Sequence, residues 1–267
     1  MAAKLTTRRA KAPAPARASG QVQSLTRALA ILGAVAESHE GMALTDIAEV
    51  VGLAPSTTHR LLTTLEAERF MRFDAQARLW QIGIRAFTVG NAFTRTRDIV
   101  AIARPAMRRL MEDSGETVNL YVEEDGEAIC MGQVESRQMM RAIARPGGRV
   151  KLHCSGAGKA MLAHMRDDEL SRILQAHGLP RVTDKTLDTP RRLRADLAAV
   201  RERRFAIDDE EHEIGLRCIA AAIVDEHGRP VAAVSLSGPT ARLTDDEVAK
   251  LGPMVARAAA AISAAYG

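Results

Sequence analysis

The segment that most limits what this chain can fold into is LTDIAEVVGLAPSTTHRLLTTLEAE, from Leu44 to Glu68. Leu44, Ile47, Ala48 and Val51 recur at helical spacing, Gly52 interrupts the run, and a second helix is predicted from Pro55. Leu61, Leu62 and Leu65 then face back toward the first helix. The pair reads as a helix-turn-helix, with Ser56, Thr57, Thr58, His59 and Arg60 on the opening turns of its second helix. Short polar side chains and a guanidinium at that place suit base edges and phosphates, so duplex DNA is the expected partner. Pairs of short amphipathic helices also occur as plain bundle pieces. Two flanking features favour the DNA reading. MRFDAQARLW, residues 71–80, reads as two short strands around a polar turn, a wing that carries Arg78. VQSLTRALAIL, residues 22–32, reads as an amphipathic helix with Ser24 positioned to cap it. Together they predict a winged helix-turn-helix over residues 21–83, followed by an amphipathic linker helix over 84–99.

Charge agrees with that division. Residues 1–98 hold 13 Lys+Arg against 8 Asp+Glu, net +5, and residues 99–267 hold 24 against 25, net −1. The positive excess lies in the half that would meet phosphates. Much of it sits in residues 1–20, where Lys4, Arg8, Arg9, Lys11 and Arg17 stand without an acid among Ala and Pro. That composition predicts a disordered tail, either a phosphate-contacting arm or simply solvated. No signal peptide or membrane-length apolar stretch is read from the sequence, so a membrane is not an expected partner. Cys130, Cys154 and Cys218 are odd in number and widely spaced, which fits a reducing cytoplasm rather than a disulfide framework.

Residues 100–267 read as an α+β sensor domain. LYV and AICM flank EDGE at 124–127, a hairpin signal, and a second hairpin joins Cys218–Val224 to Val231–Ser237. Alternation puts Cys218, Ala220 and Ala222 on one strand face and Ala233, Ser235 and Ser237 on another. If those faces share a side, they form a floor of small groups with two hydroxyls and a thiol, with room for a small ligand. HCSGAGKA, residues 153–160, leads small residues into a helix and leaves backbone amides for an anion. It lacks P-loop spacing, so a small organic acid is expected rather than a nucleotide. Met139, Met140 and Ile143 are candidates for an apolar lid. Asp208, read from the residues alone, is a surface acid in an acidic run.

An enzymatic alternative pairs Cys218 with His212 or His153, but a cysteine inside a strand lacks the usual electropositive loop setting of a nucleophile. His153, Cys154, His164 and Cys218 lack zinc-ligand spacing, and neither metal nor other cofactor is expected. A further alternative is an interaction module that takes no effector.

The ordered set QSLTRALAIL, LTDIAEVVGLAPSTTHRLLTTLE, LHCSGAGKAMLA and GLRCIAAAIVDEHGRPVAAVSLSGP resembles the IclR family of bacterial transcriptional regulators, from Val22 to the C-terminus. The resemblance implies a regulator, not an enzyme. It implies two domains, α+β overall: a winged helix-turn-helix, a linker helix, and an effector domain with a GAF-like or PAS-like antiparallel sheet. It also implies dimers, often paired into tetramers. Carried over by position, Arg27, Ser56, Thr57 and Arg60 match DNA contacts, with Thr58, His59 and Arg78 counted beside them. Pro55 stands where many relatives hold a basic residue, which shifts phosphate contact toward the tail and wing. DDEEHEIGLRCIAAAI, VAAVSLSGP and SGAGKA are similar to the glyoxylate-responsive, allantoin-pathway branch. That likeness implies an effector site of Ser155, Gly156, Ala157, Asp208, Cys218, Ser235 and Ser237 for a small 2-oxo or 2-hydroxy acid: glyoxylate, or else pyruvate or glycolate.

Overall fold

The computed structural model describes residues 22–96, 99–142 and 144–267. The expectations for the tail of residues 1–20 and for Ile143 fall outside them. The chain divides into two compact units, Met1–Thr96 and Arg97–Gly267.

In the first unit α1 (Gln23–Ala36), α2 (Leu44–Val51) and α3 (Pro55–Ala67) precede a hairpin of β1 (Met71–Asp74) and β2 (Leu79–Ile82), and α4 (Ile84–Thr96) follows. Gly52 takes the left-handed conformation, φ +66°, that ends α2, and Pro55 opens α3, where its missing N–H costs nothing. Ile31, Val35, Ile47, Leu62, Met71 and Trp80 form the core that sets the angle between the helices. The wing turn is closed by Asp74 Oδ1, which accepts from the Gln76 and Ala77 amides at 3.0 and 3.1 Å. Met42 pairs with Trp80 through a single antiparallel bridge, the two residues exchanging backbone hydrogen bonds at 2.9 and 2.8 Å. Ser24 is not a cap. The helix begins one residue before it, at Gln23, and its N-cap is Val22, which makes no side-chain bond.

The second unit is built on a six-stranded antiparallel sheet of order β5-β4-β3-β8-β7-β6. Its strands are β3 (Thr117–Glu124), β4 (Glu127–Val134), β5 (Arg149–Lys151), β6 (Ala206–Asp209), β7 (Leu216–Val224) and β8 (Pro230–Pro239). Asp125 and Gly126 turn the β3–β4 hairpin with φ +52° and +76°, as the Asp-Gly pair predicts. One sheet face carries Val118, Leu120, Ile219, Ile223, Val234 and Leu236. It is covered by α5 (Ile99–Ser114) and α9 (Asp245–Tyr266). The other face is smaller in its side chains and receives α6 (Gly156–Leu162) and α8 (Pro190–Arg203), with α7 (Asp167–His177) outside them.

α9 corrects one expectation. Its 22 residues are long and apolar enough, by length and composition alone, to cross a membrane. Here alanines raise the hydropathy, while Val248, Leu251, Val255, Ala259 and Ile262 seat one stripe of the helix in the domain core. Its first turn is Asp245, Asp246 and Glu247, so the helix is amphipathic at the surface of this unit.

Candidate functional site

Two surfaces gather the residues that the sequence singled out. On the first unit, α3 turns Ser56, His59, Arg60, Thr63 and Thr64 outward and leaves Thr57 half-buried. Arg27 of α1 shares a shallow crevice with Thr57, Arg60 and Thr64. On the other flank His59 and Thr63 share a groove with Thr45 and with Arg78 of the wing. Arg78 holds the turn with φ +57°. Thr58 does not belong with these. It is fully buried, and its hydroxyl donates to the Ala54 carbonyl at 3.2 Å. It follows the inward stripe of Leu61, Leu62 and Leu65, because three and four residues bring a helix back to the same face.

On the second unit, Ser155, Gly156, Ala157, Asp208, Cys218, Ser235 and Ser237 line a single cavity of about 550 Å³. Strand register explains the convergence. Asp208 pairs with Cys218 and Cys218 with Ser237, so the three form one row across β6, β7 and β8. Ser235 lies one row along, opposite Asn119 of β3. The floor is polar but uncharged apart from Asp208: Ser235 Oγ and Ser237 Oγ are 3.4 Å apart, and Asn119 Nδ2 reaches Ser237 Oγ at 3.5 Å.

The small residues serve partly for another purpose than expected. A Cβ on Gly156 would stand 3.3 Å from that of Cys218 and 3.4 Å from that of Ala220. Ala206, Ala220 and Ala233 are packed with Ala157 and Ala160. Small side chains on the sheet therefore let α6 lie close, and the open volume is left over Ser235 and Ser237 instead. Ser155 is likewise a holder. Its hydroxyl donates to the Lys151 carbonyl at 2.8 Å and accepts from the Gly158 amide at 3.1 Å. The Gly156 and Ala157 amides have no hydrogen-bond partner among the described residues.

Asp208 is no surface acid: it is 1 % exposed. Burial, then the charge of Glu211, push its pKa up to about 7, against the pull of the Glu211 and His212 amides and of Lys159. Those amides donate to Oδ1 at 2.8 and 3.3 Å. Behind it, fully buried Lys159 pairs with Glu211 and, at 2.9 Å, with Asp196 of α8. That cation is committed to these acids and does not line the cavity. Burial raises the Cys218 thiol far above its ordinary value, with Asp208 adding to it, so Cys218 stays protonated. A thiol in that state is a poor nucleophile.

Met140, Arg141 and Arg145 stand at the mouth. Met139 of the expected lid is fully exposed and does not line the cavity. The sequence reading missed Asn119, Tyr121, Cys130 and His212, all lining residues. The signal for the first two was available: Asn119 and Tyr121 alternate with apolar Val118, Leu120 and Val122 on one strand.

Comparison with known proteins gives a family for each of the two units. Residues 24–75 match the IclR helix-turn-helix domain, and residues 91–264 match the bacterial transcriptional regulator IclR C-terminal domain. The chain is 47 % identical to the transcriptional repressor IclR of Escherichia coli over 271 positions, covering 100 % of this chain and 99 % of that protein. It is 43 % identical to the Escherichia coli transcriptional repressor AllR over 245 positions, covering 92 % of this chain and 90 % of that one. The crystal structure of Thermotoga maritima IclR superposes with a TM-score of 0.76 at 28 % identity, over 92 % of this chain and 100 % of that one. These curated relatives are regulators of transcription, not enzymes. This chain belongs to the IclR family of DNA-binding bacterial transcriptional regulators.

Proposed function

We propose that this protein is a repressor in the cytoplasm whose grip on operator DNA is set by a small 2-oxo or 2-hydroxy acid, with glyoxylate as the leading candidate. The outward face of α3, with Arg27 and the wing Arg78, meets the duplex. The acid occupies the cavity over β7 and β8. Its carboxylate accepts from the Gly156 and Ala157 amides and from the Ser235 and Ser237 hydroxyls, while a hydroxyl or gem-diol donates to Asp208 beside Cys218. The observation that carries this reading is the meeting of Asp208, Cys218, Ser235 and Ser237 around one cavity. Arg141, Arg145 and Arg149 also line the cavity, and Asp208 disfavours a second anionic group beside itself. Glycolate presents a carboxylate and a donor hydroxyl, and pyruvate a carboxylate and a carbonyl that only accepts.

The working form is a dimer, itself pairing into a tetramer. Val22 at the start of α1, Leu25 and Leu29 on it, and Ile84 and Phe87 on α4, are all more than half exposed, more apolar surface than a lone winged helix needs. Covering them with a second copy would bring two recognition helices to half-sites about one helical turn apart. A gel shift with the promoter region beside the gene, at rising glyoxylate, tests the whole reading. Retention should change with glyoxylate in the wild type. In Ser235→Ala and Asp208→Ala it should stay fixed while DNA binding survives. Joint loss of both activities in these variants would overturn the separation of roles.

A further inference from the structure

Tyr121 lies on β3 opposite Ala233, two residues along β8 from Ser235. Its side chain is 7 % exposed and lines the cavity. Its hydroxyl makes no hydrogen bond to any described residue and is not sealed from the open volume. Buried tyrosine hydroxyls ordinarily find a partner, so one left facing a cavity is poised for whatever the cavity receives. The strand order puts β8 and β7 between β3 and β6. A ligand resting over Ser235, Ser237 and Cys218 therefore has Asp208 at one flank and Tyr121 at the other. Burial, and to a smaller degree Cys130, Cys218 and Asp208, hold the phenol far above its ordinary pKa, so it is a neutral donor throughout the physiological range.

A 2-oxo acid carries two groups that only accept hydrogen bonds, the carboxylate and the carbonyl. Two backbone amides and two serine hydroxyls match the lone pairs of the first. The carbonyl needs another donor. Asp208 donates only in its protonated form, and the Cys218 thiol is a weak donor. Asn119 is held by Gln133, whose Nε2 donates to its Oδ1 at 3.0 Å, and its own Nδ2 points at Ser237. Tyr121 remains.

We propose that the Tyr121 hydroxyl donates a hydrogen bond to the carbonyl oxygen of the effector and so selects 2-oxo acids over plain alkanoates of equal length. This rests on the reading of the cavity as a small-acid site. The test is isothermal titration of the full chain with pyruvate and with propionate, which differ at the second carbon alone in the group at issue. Tyr121→Phe removes one oxygen and keeps the ring. It should weaken pyruvate roughly tenfold or more and leave propionate within about twofold of wild type. Ser235→Ala, acting on the carboxylate, should weaken both acids. Operator retention and melting temperature of Tyr121→Phe should match wild type. Propionate too weak to detect on wild type, with pyruvate weakened by the substitution, supports the proposal equally. Unchanged pyruvate affinity in Tyr121→Phe, or equal loss for both acids, overturns the role of Tyr121 and leaves the cavity reading standing. A wild type that binds none of pyruvate, propionate and glyoxylate overturns both.

Discussion

Asp208 is poised by opposing forces: burial and Glu211 favour its protonated form, while two amides and Lys159 favour its charge. The consequence can be measured without a ligand. A carboxyl with a raised folded-state pKa binds its proton more tightly in the folded chain than in the unfolded one. Stability is then unaffected at acid pH and is lost as pH climbs from the ordinary value of 3.8 through about 7. Asp208→Asn keeps an oxygen for the Glu211 and His212 amides but cannot ionise. The two proteins should melt together below the ordinary value of 3.8, and the variant should be the more stable at about pH 8 by on the order of a few kcal/mol. His153, His164 and His212, whose pKa values burial lowers, titrate in both proteins and cancel from the difference. Parallel melting curves at every pH would mean that Asp208 ionises as an ordinary acid.

At the level of elements, α3 divides its polar residues sharply. Arg60 is outward and Thr58 is buried, two residues apart. Arg60→Ala should weaken operator binding by about 1–3 kcal/mol and flatten its salt dependence by about one counterion. Thr58→Ala should cost about 1 kcal/mol of stability and leave the affinity of the folded protein unchanged, as read by melting and by gel shift. Equal losses of affinity would contradict the inward placement of Thr58. Helical and strand periodicity made α2, α3, the wing and the β7–β8 pair legible, since Gly52, Pro55 and alternation mark them directly. The floor row was legible for the same reason: Cys218, Ser235 and Ser237 follow period two. α8 was missed, although Thr189 caps it and Pro190 opens it, because its arginines mask Leu193, Leu197 and Val200. The burial of Asp208 was illegible, because it depends on α6, α8 and the β6–β7 connection folding over it.

For the whole molecule, the proposed dimer would cover the exposed apolar residues of α1 and α4. Leu25→Lys together with Phe87→Glu should shift the protein toward monomers in sedimentation velocity and lower operator affinity, while titration of the acid into the cavity persists. Unchanged sedimentation would remove those faces from the interface. The cavity-lining side chains of the sheet are held on four adjacent strands in fixed register, and a slip of one residue in any of them would send its contributors to the opposite core. Insertions within these strands are thus barred, whereas exchange of one side chain for another leaves the lattice intact. New ligand preferences can accordingly arise, in nature or at the bench, by repainting a handful of positions on a rigid palette while the reading head keeps its address.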